Sequence, residues 1–175
     1  NHNGTTNEVD SLDAVTTLGG IAMLYHPGRY NKNTAWYVDL YQRYPALFGM
    51  EVYNQGDRYP NDRATWDAVL TDLMPGRPVW GFSNDDMHRL SHLGRNYSIM
   101  LLPELTPETV RHGMENGRSY FVYSPEISDQ IASPVIKAIQ VEHAQGRIHI
   151  EAEGPRETVW ISEGREIHRG DTLDL

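Results

Sequence analysis

Five short apolar runs alternate with helical segments over the first 125 residues, and this rhythm restricts the fold more than any other feature. The runs cover residues 21–25, 48–53, 79–83, 97–102 and 119–123. Continuous short runs, without strict apolar–polar alternation, suit strands buried on both faces. The segments between them read as helices. Residues 8–18 form one, stopped by Gly19-Gly20, and Thr34 is expected to cap a second that Pro45 closes. Asp62 is expected to cap a third, with Trp66, Val69, Leu70 and Leu73 on one face. Thr106-Pro107-Glu108 opens a fourth, which ends near Asn116-Gly117. Strand–helix alternation of this kind is the signature of a parallel sheet or barrel.

From about residue 132 the pattern changes. Residues 135–143 and 147–153 read as strands joined by Ala144-Gln145-Gly146, and 159–162 and 166–168 flank Glu163-Gly164-Arg165. These are two successive hairpins. The expected organisation is therefore an α/β unit over 1–125, a linker over 126–134, and a small antiparallel β unit over 135–175.

Composition narrows the chemistry. Lys and Arg number 15 against 24 Asp and Glu, a net charge of −9 across 175 residues. That argues against a dedicated nucleic-acid binder. No apolar run reaches the roughly 18 residues of a membrane-spanning helix. There is no cysteine, so any metal must be held by His, Asp or Glu, and eight histidines are present. No signal peptide stands at the start, the chain opens on Asn1, and a further segment is expected upstream. The compartment and the oligomeric state are left open.

In α/β folds functional side chains collect at the carboxyl ends of the strands. His26 follows the first run, Asn54 the second, and Asp86 and His88 the third. Asp86-Met87-His88 is an Asp-x-His pair, and in extended chain both side chains fall on one side. A carboxylate with a neutral imidazole suits Zn, Mn or Fe. Taken alone such a pair is a weak signal. His26, in a Tyr-His-Pro-Gly turn, strengthens it, although the imidazole could simply pack or cap that turn. His2 alone reads as an ordinary terminal histidine, and His92 stands four residues beyond His88. Arg29, Arg58 and Arg89 each follow a strand end and could meet an anionic substrate, the plainer reading being solvated loop arginines. Glu51 lies inside a strand, either as an acceptor for a ligand histidine or as a paired polar residue.

Five segments carry a resemblance by their order and spacing. They are Gly20-Ile21-Ala22-Met23-Leu24-Tyr25-His26-Pro27, Gly49-Met50-Glu51-Val52-Tyr53-Asn54, Trp66-Asp67-Ala68-Val69-Leu70, Gly81-Phe82-Ser83-Asn84-Asp85-Asp86-Met87-His88 and Gly117-Arg118-Ser119-Tyr120. Together they resemble the later part of a PHP (polymerase and histidinol phosphatase) domain, over roughly residues 1–125. The resemblance implies a distorted (β/α)7 TIM-like barrel with two or three divalent metal ions at its C-terminal face. It implies His26, Asp86 and His88 as metal ligands, with His2 as a further one. It implies a hydrolase, foremost a phosphoesterase, that uses a metal-activated water on a small-molecule phosphoester. Asp86 and His88 would be the catalytic pair, bridging ions or guiding the water proton, and Arg29 and Asn54 would bind substrate. The family's opening His-x-His strand and glutamate are expected upstream of Asn1. Non-phosphate esters and carbamates are alternative substrates. A noncatalytic binding module is the alternative from another class.

Overall fold

The structure, a computed structural model, describes residues 7–124, 133–154 and 157–175. His2 and most of the expected linker lie outside these residues. The chain divides into two compact units, 1–125 and 126–175.

The first unit is built on a parallel three-stranded sheet of β1 (Ala22–Leu24), β2 (Leu47–Asn54) and β3 (Trp80–Asn84), in the order β1-β2-β3. The central strand β2 is the most deeply buried, because both its faces are covered. Helix α1 (Glu8–Thr17) precedes β1, and α2 (Thr34–Arg43) and α3 (Asn61–Leu73) supply the two crossovers parallel pairing requires. The core joins Tyr37, Leu40 and Tyr41 of α2 to Leu47 and Met50 of β2 and Val69 of α3. Two buried phenols tie α2 to the strand layer. Tyr37 donates to the Pro27 carbonyl at 2.5 Å, and Tyr41 to the Gly49 carbonyl at 2.8 Å. Burial pushes the Tyr37 phenol up to about 12, so it stays a donor. The Arg77 guanidinium donates to the carbonyls of Tyr41, Pro45 and Leu47, bridging the end of α2 and the start of β2.

Two expected caps differ from those observed. Asn33, one residue earlier than Thr34, caps α2 by accepting from Trp36 N–H at 3.0 Å. Its short amide competes for the same orphan donors as a threonine hydroxyl. Asp62 caps nothing: it lies within the first turn of α3, and its carboxylate accepts the Gly28 N–H at 2.7 Å instead. Thr106 does cap α4 (Pro107–Glu115), reciprocally with Thr109.

The last two strands of the unit depart from the expected parallel series. β4 (Asn96–Met100) and β5 (Ser119–Tyr123) pair antiparallel, although α4 lies between them, and form a separate two-stranded sheet. The first unit is thus mixed α/β with small sheets, and no closed barrel forms among the described residues.

In the second unit β6 (Val135–Glu142) and β7 (Arg147–Glu153) form the first hairpin, and β8 (Val159–Ser162) and β9 (Arg165–Arg169) the second. A strand absent from the sequence expectation, β10 (Thr172–Asp174), pairs with the other edge of β7. Leu173 of β10 is buried, whereas Ile139 and Val141 of β6 are exposed.

Candidate functional site

The carboxyl ends of β1, β2 and β3 share a backbone signature. His26, Gln55 and Asp86, each just beyond one of these strands, have φ of 55°, 47° and 47°. Side chains other than glycine rarely adopt this left-handed state, and such outliers concentrate where geometry serves function. β2 also carries a register shift against β3 between Glu51 and Tyr53, a bulge beside the same site.

Glu51 is the hub. It is 0% exposed, and both carboxylate oxygens are engaged. Oε2 accepts the His26 backbone N–H at 2.8 Å and lies 2.6 Å from His26 Nδ1, within ion-pair reach but out of line for a hydrogen bond. Oε1 accepts from Asn54 Nδ2 at 3.1 Å and Asn84 Nδ2 at 3.0 Å. A buried carboxylate is costly unless so provided for. Glu51 is thus a fully paired carboxylate whose Oε2 faces both the backbone N–H and the ring of His26.

Asp86, His26 and Glu51 line one cavity of about 320 Å³ with Tyr25 and Asn84. Gln55 Nε2 donates to Asp86 Oδ2 at 3.1 Å and fixes that carboxylate from the side. His88 stands further out, its side chain 68% exposed, against 29% for Asp86 and 30% for His26. Its Nδ1 lies 2.6 Å from the Asp86 carbonyl. As a donor there, Nδ1 carries the proton and Nε2 is left with a lone pair, the tautomer a metal ligand needs.

Arg29 and Asn54 are committed to each other. Arg29 Nη2 donates to Asn54 Oδ1 at 2.8 Å, and its guanidinium stacks 3.5 Å from the Tyr59 ring centre. Asn54 is 1% exposed with both ends of its amide engaged. In this arrangement the pair braces Glu51.

Gln55 and Asp62 carry weight here that their sequence did not suggest. Gln55-Gly56 is a turn signal in a polar loop, and that was the available clue. Asp62 is fully buried, its Oδ1 holding the turn after His26 through Gly28 and its Oδ2 without a partner. Burial, foremost, raises its pKa, and the Glu51 charge adds to this, while the Gly28 N–H, Arg29 and His26 oppose it. Gly28 is required by space: a Cβ there would come within 2.7 Å of the Asn61 backbone at the start of α3.

The donor types fit a divalent ion: two imidazoles, that of His88 with its Nδ1 against a backbone carbonyl, and a carboxylate. Their convergence is incomplete. Among the described residues no three His, Asp or Glu side chains stand close enough together to hold an ion. Among them also, no helix is long and apolar enough to cross a membrane.

No family model and no curated protein matches the chain. A crystal structure of a two-domain protein from Bacteroides vulgatus, containing a predicted PHP-like metal-dependent phosphoesterase, is similar to it in fold, with a TM-score of 0.54 and 16% identity. The match covers 83% of this chain and 46% of that one, so this chain spans about half of its structural neighbour.

Proposed function

We propose that the first unit is the later part of a PHP-type (β/α)7 barrel and carries part of a metal-dependent hydrolase site, a phosphoesterase foremost. The observation that carries this reading is the meeting of His26, Asp86 and a buried orienting Glu51 in one cavity at the strand ends. The fold likeness to a protein named as a predicted PHP-like metal-dependent phosphoesterase supports it. His26, Asp86 and His88 would hold two or three divalent ions (Zn, Mn or Fe), with His2 as a further donor. Such ions supply Lewis acidity and bring the pKa of water toward neutrality.

The chain's own residues do the rest. Glu51 orients His26, and the Asp86 carbonyl fixes the His88 tautomer. Gln55 holds the Asp86 carboxylate, which accepts a proton or an ion at Oδ1. Arg29 and Asn54 keep Glu51 in place behind the reacting face.

The incomplete convergence of donors favours one second reading, a noncatalytic binding module. Metal content and turnover of bis(p-nitrophenyl) phosphate separate the two. The intact protein is expected to bind at least two transition-metal ions and hydrolyse the ester, and His26→Ala or Asp86→Ala to abolish turnover. A protein that stays metal-free, with a melting temperature unmoved by Mn or Zn, overturns the hydrolase. A panel of carboxylate esters and carbamates then fixes the bond cleaved.

A further inference from the structure

Beside the strand-end cavity lies a second one of about 270 Å³, lined by Gln55, Arg58, Arg89, His92 and Arg95. Three arginines on one small cavity are conspicuous in a chain of net charge −9. Several other arginines are matched with acids, Arg43 with Asp39, Arg63 with Asp57 and Arg111 with Glu115, and Arg77 is spent on backbone carbonyls. Among the described residues, the guanidinium groups of Arg58, Arg89 and Arg95 have no carboxylate partner, although the Arg95 backbone N–H donates to Asp85 Oδ1 at 2.9 Å. Two of them are nevertheless held. Arg58 Nη1 donates to Gln55 Oε1 at 2.9 Å, and Arg89 Nε donates to His92 Nε2 at 2.7 Å. Each anchor uses a single N–H, leaving the other guanidinium donors to spare.

We propose that Arg58, Arg89 and Arg95 form a receptor for a phosphoryl group, distinct from the group cleaved at the strand ends. Three unneutralised cations at one cavity match a tetrahedral dianion, which offers several oxygens to guanidinium forks, better than a planar monoanion such as a carboxylate. Gln55, which lines the arginine cavity, links it to a residue of the strand-end cavity: its amide nitrogen holds Asp86 and its oxygen holds Arg58. A ligand anchored at the arginines would therefore reach Asp86 across a single side chain. This deepens the hydrolase reading by naming the substrate class: a small molecule bearing a phosphoryl group besides the ester that is cleaved. The link to catalysis rests on that reading, and the anion receptor does not.

The test is calorimetric titration of the metal-free protein with orthophosphate, and with acetate at equal ionic strength. Orthophosphate is expected to bind and acetate to bind at least tenfold more weakly. Arg89→Ala with Arg95→Ala, both in exposed chain, should weaken phosphate at least tenfold. Arg89→Lys with Arg95→Lys should recover part of it, because a point charge replaces a fork. Arg43→Ala with Arg111→Ala makes the same change in charge elsewhere and should leave binding unchanged. No phosphate binding, equal binding of acetate, or binding unchanged in the double alanine variant overturns the receptor. His26→Ala separates the two proposals: it should abolish turnover and spare phosphate binding. Phosphate held at the arginines of a protein without turnover would sink the hydrolase and leave the receptor standing.

Discussion

The two sides of the candidate site are built on opposite principles. On the His26 side, Glu51 is sealed from solvent and every contact it makes is to a donor fixed by a strand or a turn. On the Asp86 side, the carboxylate and the His88 ring sit on a loop, partly in water, steadied by Gln55 and their own backbone. The first side costs folding energy if disturbed. The second can be altered with little structural consequence. Both sides bear on the proposed chemistry, but only the first is expected to bear strongly on the fold, so measurements of stability and of turnover should separate them.

The sharpest contrast comes from Glu51→Ala. Removing the hub strands the His26 N–H, the buried Asn54 amide and the half-buried Asn84 amide, a loss on the order of 3–5 kcal/mol at roughly 1–3 kcal/mol for each donor left unpaired. Chemical denaturation reads it directly, and a loss under about 1 kcal/mol would mean that Glu51 is not the keystone described.

Asp62→Asn gives a smaller effect with a distinctive pH dependence. The folded state raises the Asp62 pKa, so between the ordinary carboxylate range and the raised value the folded chain holds a proton that the unfolded chain has released. Stability contributed by this group is therefore present in acid and lost as pH rises. The asparagine variant lacks that loss, so its stability relative to wild type should climb as pH rises above the ordinary carboxylate range. A difference that stays flat with pH would remove Asp62 from the account.

His88→Ala should do least to the fold. Its side chain is 68% exposed, and surface changes of this kind fall within about 0.5 kcal/mol. The same variant should lose hydrolysis. A melting temperature lowered as much as in Glu51→Ala would erase the distinction between the two sides.

The same division governs what could be read from sequence. The buried strands announced themselves, because a run such as residues 48–53 has few other places to go in a chain this polar. His26, Asn54, Asp86 and His88 were visible for the same reason, as polar residues just past those runs. The role of Asp62 was hidden: next to a helix start an aspartate reads as a cap, and only the approach of Gly28 from 34 residues away claims its oxygen. The antiparallel pairing of β4 and β5 was hidden too, since a helix between two strands suggests a parallel crossover. Arg95 and Gln55 carry no periodic signal, and their meeting at one cavity is purely tertiary.

The guanidinium of Arg77 has a bearing on how this unit opens. One cation holds carbonyls on α2, on the corner that follows, and on β2. The end of a helix ordinarily frays ahead of the rest, its amides exchanging with solvent through small local openings. Here the last turn of α2 cannot loosen without also releasing the entry to the central strand. Helix end, corner and strand entry should share a single protection level against hydrogen exchange, closer to that of the whole unit than to that of a loose end.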